Sequence, residues 1–128
     1  MLSYVLLESL CDSILRLNKS IQSVAVVNNC GRVMEKISRS EFTRQFPYHL
    51  SELFCMSCVL QLSMGKDFDE NYGPINYYIT KRSNYSIITF PLDENVIIIT
   101  TNKNASFITL ARKIISIIKN YVKHLPYN

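Results

Sequence analysis

The most reactive spacing in this chain is Cys55-x-x-Cys58, the interval at which redox pairs and zinc ligands occur. Redox use needs a thiolate, which a helix N-terminus or a neighbouring cation supplies. Here the pair lies inside the apolar run Leu50–Met64, where thiols act as small hydrophobes. A tetrahedral metal site would need two further ligands, and Cys30 with His49 are the only plausible recruits. Core packing is therefore the expectation, with no metal and no cofactor. Cys11 and Cys30 have no visible partner in the sequence.

Asp67-Phe68-Asp69-Glu70-Asn71 begins like a calcium loop. It fails at the turn glycine, where Tyr72 stands, and at the closing glutamate, where Tyr78 stands. A solvated loop is expected instead, with Asp67 or Asp69 bonding local backbone N–H groups. The only histidines are His49 and His124, and neither completes a serine or cysteine catalytic spacing. Gly31, Gly65 and Gly73 stand alone, so no phosphate-cradling loop is present. These observations exclude the familiar catalytic signatures, and a non-enzymatic protein is expected. Tyr77, Tyr78, Tyr85 and Phe90 lie near Lys81 and Arg82 in the chain. Such a set could stack on bases, but cross-strand packing and a Tyr-rich interface are its ordinary use.

The elements that position these residues are legible from periodicity. Asn95–Thr101 contains an unbroken β-branched run, which suits a strand covered on both faces at the centre of a sheet. Asn102-Lys103-Asn104 follows as turn and N-cap chemistry for an amphipathic helix carrying Phe107, Leu110, Ala111, Ile114, Ile118, Tyr121 and Leu125 on one face. Arg112, Lys113, Lys119 and Lys123 lie off that face, His124 falls in the last turn, and Pro126 ends the helix. At the other end, Leu6, Leu10, Ile14 and Leu17 predict a helix over Tyr4–Asn18, stopped by Asn18-Lys19-Ser20. Ile21–Asn28 and Arg32–Ile37 read as a hairpin around Asn29-Cys30-Gly31, and Ser38–His49 as irregular. Pro74–Lys81 predicts an edge strand, Tyr85–Leu92 a further one, and Gly65–Gly73 a charged loop. The order is α-β-β-α-β-β-β-α in one domain of 128 residues, an α+β fold with a largely antiparallel sheet.

The second helix, Leu50–Met64, is apolar on two sides. Phe54, Cys55, Cys58, Val59 and Leu62 form one face, and Leu53, Met56, Leu60 and Met64 form another. A sheet accepts one of these, so the second predicts contact with another subunit, or alternatively with a long loop such as Ser38–His49. Charged residues make up 19% of the chain, below the usual quarter, in keeping with a covered apolar surface. A net charge of +4 without dense clustering falls short of a nucleic-acid binder. Met1–Leu17 carries Glu8, Asp12 and Arg16 and lacks a cleavage pattern, so neither a signal peptide nor a membrane span is expected. Four cysteines without a secretory signal point to a reducing, cytoplasmic setting.

A helix first and the last strand central resembles the roadblock/dynein light-chain superfamily, a profilin-like fold. Val26-Val27-Asn28 with Gly31, Lys66–Glu70, Gly73, Tyr77, Arg82 and Thr89-Phe90-Pro91-Leu92 are similar to a group of small archaeal roadblock-like proteins. The resemblance implies a five-stranded antiparallel sheet with the first and third helices on one face and the second on the other. It also implies a homodimer joined through the second helix and third strand, acting as an adaptor or regulator of small Ras-like GTPases, or as a motor-complex light chain. Leu53, Met56, Leu60, Met64, Ile75, Tyr77 and Ile79 would form that seam, and Asp67, Asp69, Lys81 and Arg82 would offer a partner surface. The competing expectation is a small-molecule sensor of the GAF or PAS kind. That would require a sizeable apolar cavity between sheet and helix.

Overall fold

The computed structural model describes residues 4–103 and 105–122, so the expectations for Asn104, Lys123, His124, Leu125 and Pro126 lie outside it. The elements are α1 (Tyr4–Leu17), β1 (Ile21–Val27), β2 (Val33–Ser38), α2 (Ser40–Gln45) and α3 (Glu52–Gly65). A 3₁₀ turn (Lys66–Phe68), α4 (Asp69–Tyr72), β3 (Tyr78–Lys81), β4 (Tyr85–Leu92), β5 (Asn95–Asn102) and α5 (Phe107–Val122) follow. The five strands run in the order β2-β1-β5-β4-β3, every neighbouring pair antiparallel. The β-branched run occupies the centre as its pattern requires, and Val96–Thr101 are all buried.

Alternation along β5 divides two cores. Ile97 and Ile99 face α1 and α5, with Leu7, Leu10, Ile14, Leu110 and Ile114 above them. Val96 and Ile98 face α3 and meet Cys55, Cys58, Val59 and Leu62. Two helices therefore cover one face of the sheet and one long helix covers the other. Tyr121 ties the pair on the first face, its hydroxyl lying 2.8 Å from both Ser9 Oγ and Ser13 Oγ.

Local chemistry fixes the joints. In the β1–β2 turn, Asn28 Oδ1 accepts from Cys30 N and Arg32 N, and Gly31 takes φ +78°. Ser51 caps α3 by accepting from Phe54 N at 3.2 Å, which starts the helix at Glu52. Arg39 donates to Leu15 O and Asn18 O at 3.1 Å and to Ile21 O at 2.7 Å. It thereby satisfies carbonyls at the end of α1 that the helix itself leaves unpaired.

Three expectations are corrected. Ser38–His49 is not wholly irregular: it contains α2, held by Phe42, which is buried against Tyr85 and His49. Gly65–Gly73 is not a loop, because the backbone stays helical through Asp69–Tyr72 until Gly73, at φ +81°, donates its N–H to Asp69 O. The strand expected over Pro74–Lys81 begins only at Tyr78. Extending its register with β4 would set Asn76 opposite Pro91, and neither Pro74 nor Pro91 has an N–H for the ladder.

Candidate functional site

The outer side of α3 is an apolar stripe left largely uncovered. Leu53 is 84% exposed, Met64 68% and Leu60 46%. Met56 is half-buried because it packs beneath the helix: its Sδ would lie 3.1 Å from a Cβ placed on Gly31. The inner face, Cys55, Cys58, Val59 and Leu62, is fully engaged with the sheet. The exposed stripe continues past α3, since Phe68 and Tyr72 are also exposed at four-residue intervals after Met64. Among the described residues, none buries Leu53, Leu60 or Met64 completely.

The other seam candidates divide between the two sides of the sheet. Ile75 packs with the α3 core, filling space beside Gly65 that a Cβ there would occupy. Tyr77 and Ile79 pack with the α1/α5 core, with the Tyr77 ring 5.7 Å from that of Phe90. Ile75 is thus brought to the end of α3, whereas Tyr77 and Ile79 point their bulk the other way. β3 itself is an edge strand, with β4 as its one neighbour.

The chemically suggestive residues resolve as follows. Cys55 and Cys58 are buried; burial raises both thiol pKa values, that of Cys58 to about 11. They are core residues, inert as nucleophiles. Among the described residues, no three His, Cys, Asp or Glu side chains gather in a way that could hold a metal. Asp67 is exposed and Asp69 half-buried in the helical continuation of α3. Lys81 places its ammonium 5.5 Å from the Phe107 ring centroid, while Arg82 lies in the exposed β3–β4 turn. These four are therefore not one surface: the acidic pair belongs to the end of α3, the basic pair to the opposite end of β3.

His49 is the one histidine described, and it has a structural neighbour set. Its Nδ1 lies 3.0 Å from Phe46 O and its Nε2 2.8 Å from Ser23 Oγ. With Nδ1–H donating to the carbonyl, Nε2 accepts from the serine hydroxyl. Burial, and secondarily the charge of Lys36, lowers its pKa and favours this neutral form. Ser23 is 1% exposed and no carboxylate orients the ring, so the pair lacks the access and polarity of a nucleophile and its base. Around His49, Phe42, Phe46 and Tyr85 form an edge-on aromatic group with centroids 4.8–5.5 Å apart. Little in the linear order hints at this group, because its members come from α2, the following loop and β4.

No family model matches the sequence, and no curated protein does. Solved structures do share its shape. Myxococcus xanthus MglB superposes with a TM-score of 0.74 at 11% identity, covering 98% of this chain and 92% of that one. A Roadblock/LC7 domain from Streptomyces avermitilis gives 0.71 at 9% identity, over 94% and 98% of the two chains. Acanthamoeba castellanii profilin II gives 0.61 at 12% identity, over 91% and 97%. The fold is therefore roadblock-like within the profilin-like group, as the element order implies. Among the described residues, no helix is long and apolar enough to cross a membrane.

Proposed function

We propose that this chain is a non-enzymatic, homodimeric roadblock-like adaptor that presents its paired helices and sheet to another protein. The observation that carries the proposal is the exposed outer stripe of α3, Leu53, Leu60 and Met64, on a helix already buried along its other side. Exposed contiguous apolar surface of this kind marks a binding face. A two-fold pairing would bury the stripe against itself and let the β3 edge add to that of a second copy. Met56 would back the seam from below and Ile75 would border it. Tyr77 and Ile79 would contribute through the backbone of the edge segment rather than through their inward-packed side chains.

Self-association has a precedent in the fold, since one MglB structure is of a tetrameric arrangement of that protein. Complex formation does too, since a profilin of this fold, LokiProfilin1, is seen bound to rabbit actin. A small Ras-like GTPase is the partner class that the roadblock-like resemblance implies. Asp67 and Asp69 at one end, or Lys81 and Arg82 at the other, would offer it charged contacts. The test is in two steps. Light scattering on the purified chain should give a dimer mass, and a monomer would remove the basis of the proposal. Immobilised dimer should then retain small GTPases in one nucleotide state; equal indifference to the GDP and GTP forms would remove the GTPase assignment while leaving the dimer.

A further inference from the structure

Two depressions meet at Asn84 and Tyr85, at the end of the sheet where β4 begins. The larger, about 550 Å³, is walled by Phe42, Phe46, His49, Phe54 and Tyr85, with Arg82 at its border. The smaller, about 390 Å³, is polar and is lined by Lys19, Ser20, Asn84, Asn102 and Lys103 as well as Tyr85. Neither contains an aspartate or glutamate among its lining residues. Lys19, Arg82 and Lys103 stand at these depressions without a carboxylate among the residues that line them. The aromatic wall is partly open, with Phe46 42% exposed. His49 is oriented by its two hydrogen bonds, and burial, with Lys36 nearby, favours its neutral form, so it contributes ring surface rather than charge.

An aromatic chamber joined to a cationic, amide-rich annex is complementary to a molecule with a flat ring at one end and an anion at the other. Both depressions lie within the volume range typical of small-molecule sites, roughly 300–1,000 Å³. We propose that this double depression binds a nucleoside phosphate, the ring against Phe46 and Tyr85 and the phosphate between Lys19 and Lys103. Asn84 and Asn102, each with amide donors and an acceptor, would border the sugar and phosphate. The site is separate from the seam proposed above, because neither Leu53, Met56, Leu60 nor Met64 lines it. Lys81 and Arg82, offered above as partner contacts, do line the larger depression, but the seam does not, so failure or success here leaves the homodimer reading untouched.

The test is isothermal titration of the full chain with AMP and GMP, with adenosine and inorganic phosphate as separate arms. At least one nucleotide should bind, and both fragments should bind about tenfold or more weakly than it does. The double variant Lys19→Glu/Lys103→Glu changes two exposed side chains, so folding is preserved. It should weaken the nucleotide about tenfold or more and leave adenosine unchanged. Tyr85→Ala should weaken the nucleotide by roughly 5- to 150-fold, the range for removing one stacking partner. If Tyr85→Ala loses its fold, the charge variant decides alone. Absence of binding by both nucleotides at millimolar concentration would overturn the proposal. So would phosphate binding as tightly as the nucleotide, or a charge variant that binds like the wild type.

Discussion

Leu60→Arg is the sharpest probe of the proposed seam, because Leu60 lies mid-helix and is 46% exposed. Burying a leucine or methionine side chain completely is worth about 1.5–3 kcal/mol. Scaled by the exposures of Leu53, Leu60 and Met64, 84%, 46% and 68%, covering the stripe would contribute roughly 3–6 kcal/mol per subunit. A two-fold pair doubles that to about 6–12 kcal/mol. A micromolar dimer needs a net of about 8 kcal/mol after association costs of about 4–15 kcal/mol. The stripe is thus a necessary part of the interface without being all of it, and pairing of the β3 edges would supply further hydrogen bonds. Arginine at position 60 removes the leucine contribution from both subunits and strands two guanidinium groups at several kcal/mol each. The dimer dissociation constant should rise more than about 100-fold. The monomer should lose only about 1 kcal/mol, since the altered position is half in water. Sedimentation across a concentration series reads the first quantity, and urea denaturation reads the second. A wild type already monomeric at about 50 µM, or a variant with unchanged dissociation constant, would refute the assignment. Met56→Arg is a poorer probe, because Met56 also packs against the Gly31 turn and its loss would strike the fold.

Gly31→Ala should destabilise the chain by about 2–3 kcal/mol in urea titration, because φ +78° is costly for alanine and the new Cβ would sit 3.3 Å from Met56 N and Cα. The pH dependence follows from His49, whose pKa in the fold lies below its ordinary 6.5, chiefly through burial. The unfolded chain then binds the proton more readily. Stability should be full above 6.5 and decline as pH falls through the lowered folded value; His49→Gln should flatten that decline in denaturation measured from about pH 7.5 to about 5. Native alkylation near neutral pH should label Cys30 alone, with Cys11, Cys55 and Cys58 reacting only in denaturant. Burial pushes Cys11 up to about 12 and Cys58 to about 11, so early labelling of either by mass spectrometry would contradict the packing of α1 or α3.

How far the sequence could be followed depended on the range of the interaction that fixes each feature. The five strands, the order of the long helices and the central place of β5 were legible, because burial on both faces leaves an unalternating β-branched run and burial on one leaves a helical stripe. The doubled stripe of α3 was legible for the same reason: Leu53, Leu60 and Met64 of its outer residues are exposed in the fold, whereas Met56 is half-buried beside the Gly31 turn. The short helices were not. α2 is held by Phe42 resting on Tyr85, a residue 43 positions away by subtraction of their numbers. α4 is decided by where Gly73 ends a helix that Gly65 had seemed to close. The truncated start of β3 depends on Pro91, which lies opposite Asn76 only after the register with β4 is set.

Composition and periodicity alone determined that this chain would make a largely antiparallel sheet with a doubly covered central strand and helices on its faces. They also determined that Cys55 and Cys58 would be core residues, because hydrophobic spacing is written locally in the chain. Which helix lies on which face was implied only by the roadblock-like resemblance. The tertiary structure alone decided that Ile75 and Tyr77 turn to opposite sides of the sheet. It alone gathered Phe42, Phe46, His49 and Tyr85 beside the depression lined by Lys19 and Lys103. Those groupings join residues from separate elements, and the geometry that brings them within reach exists only after the strands have paired.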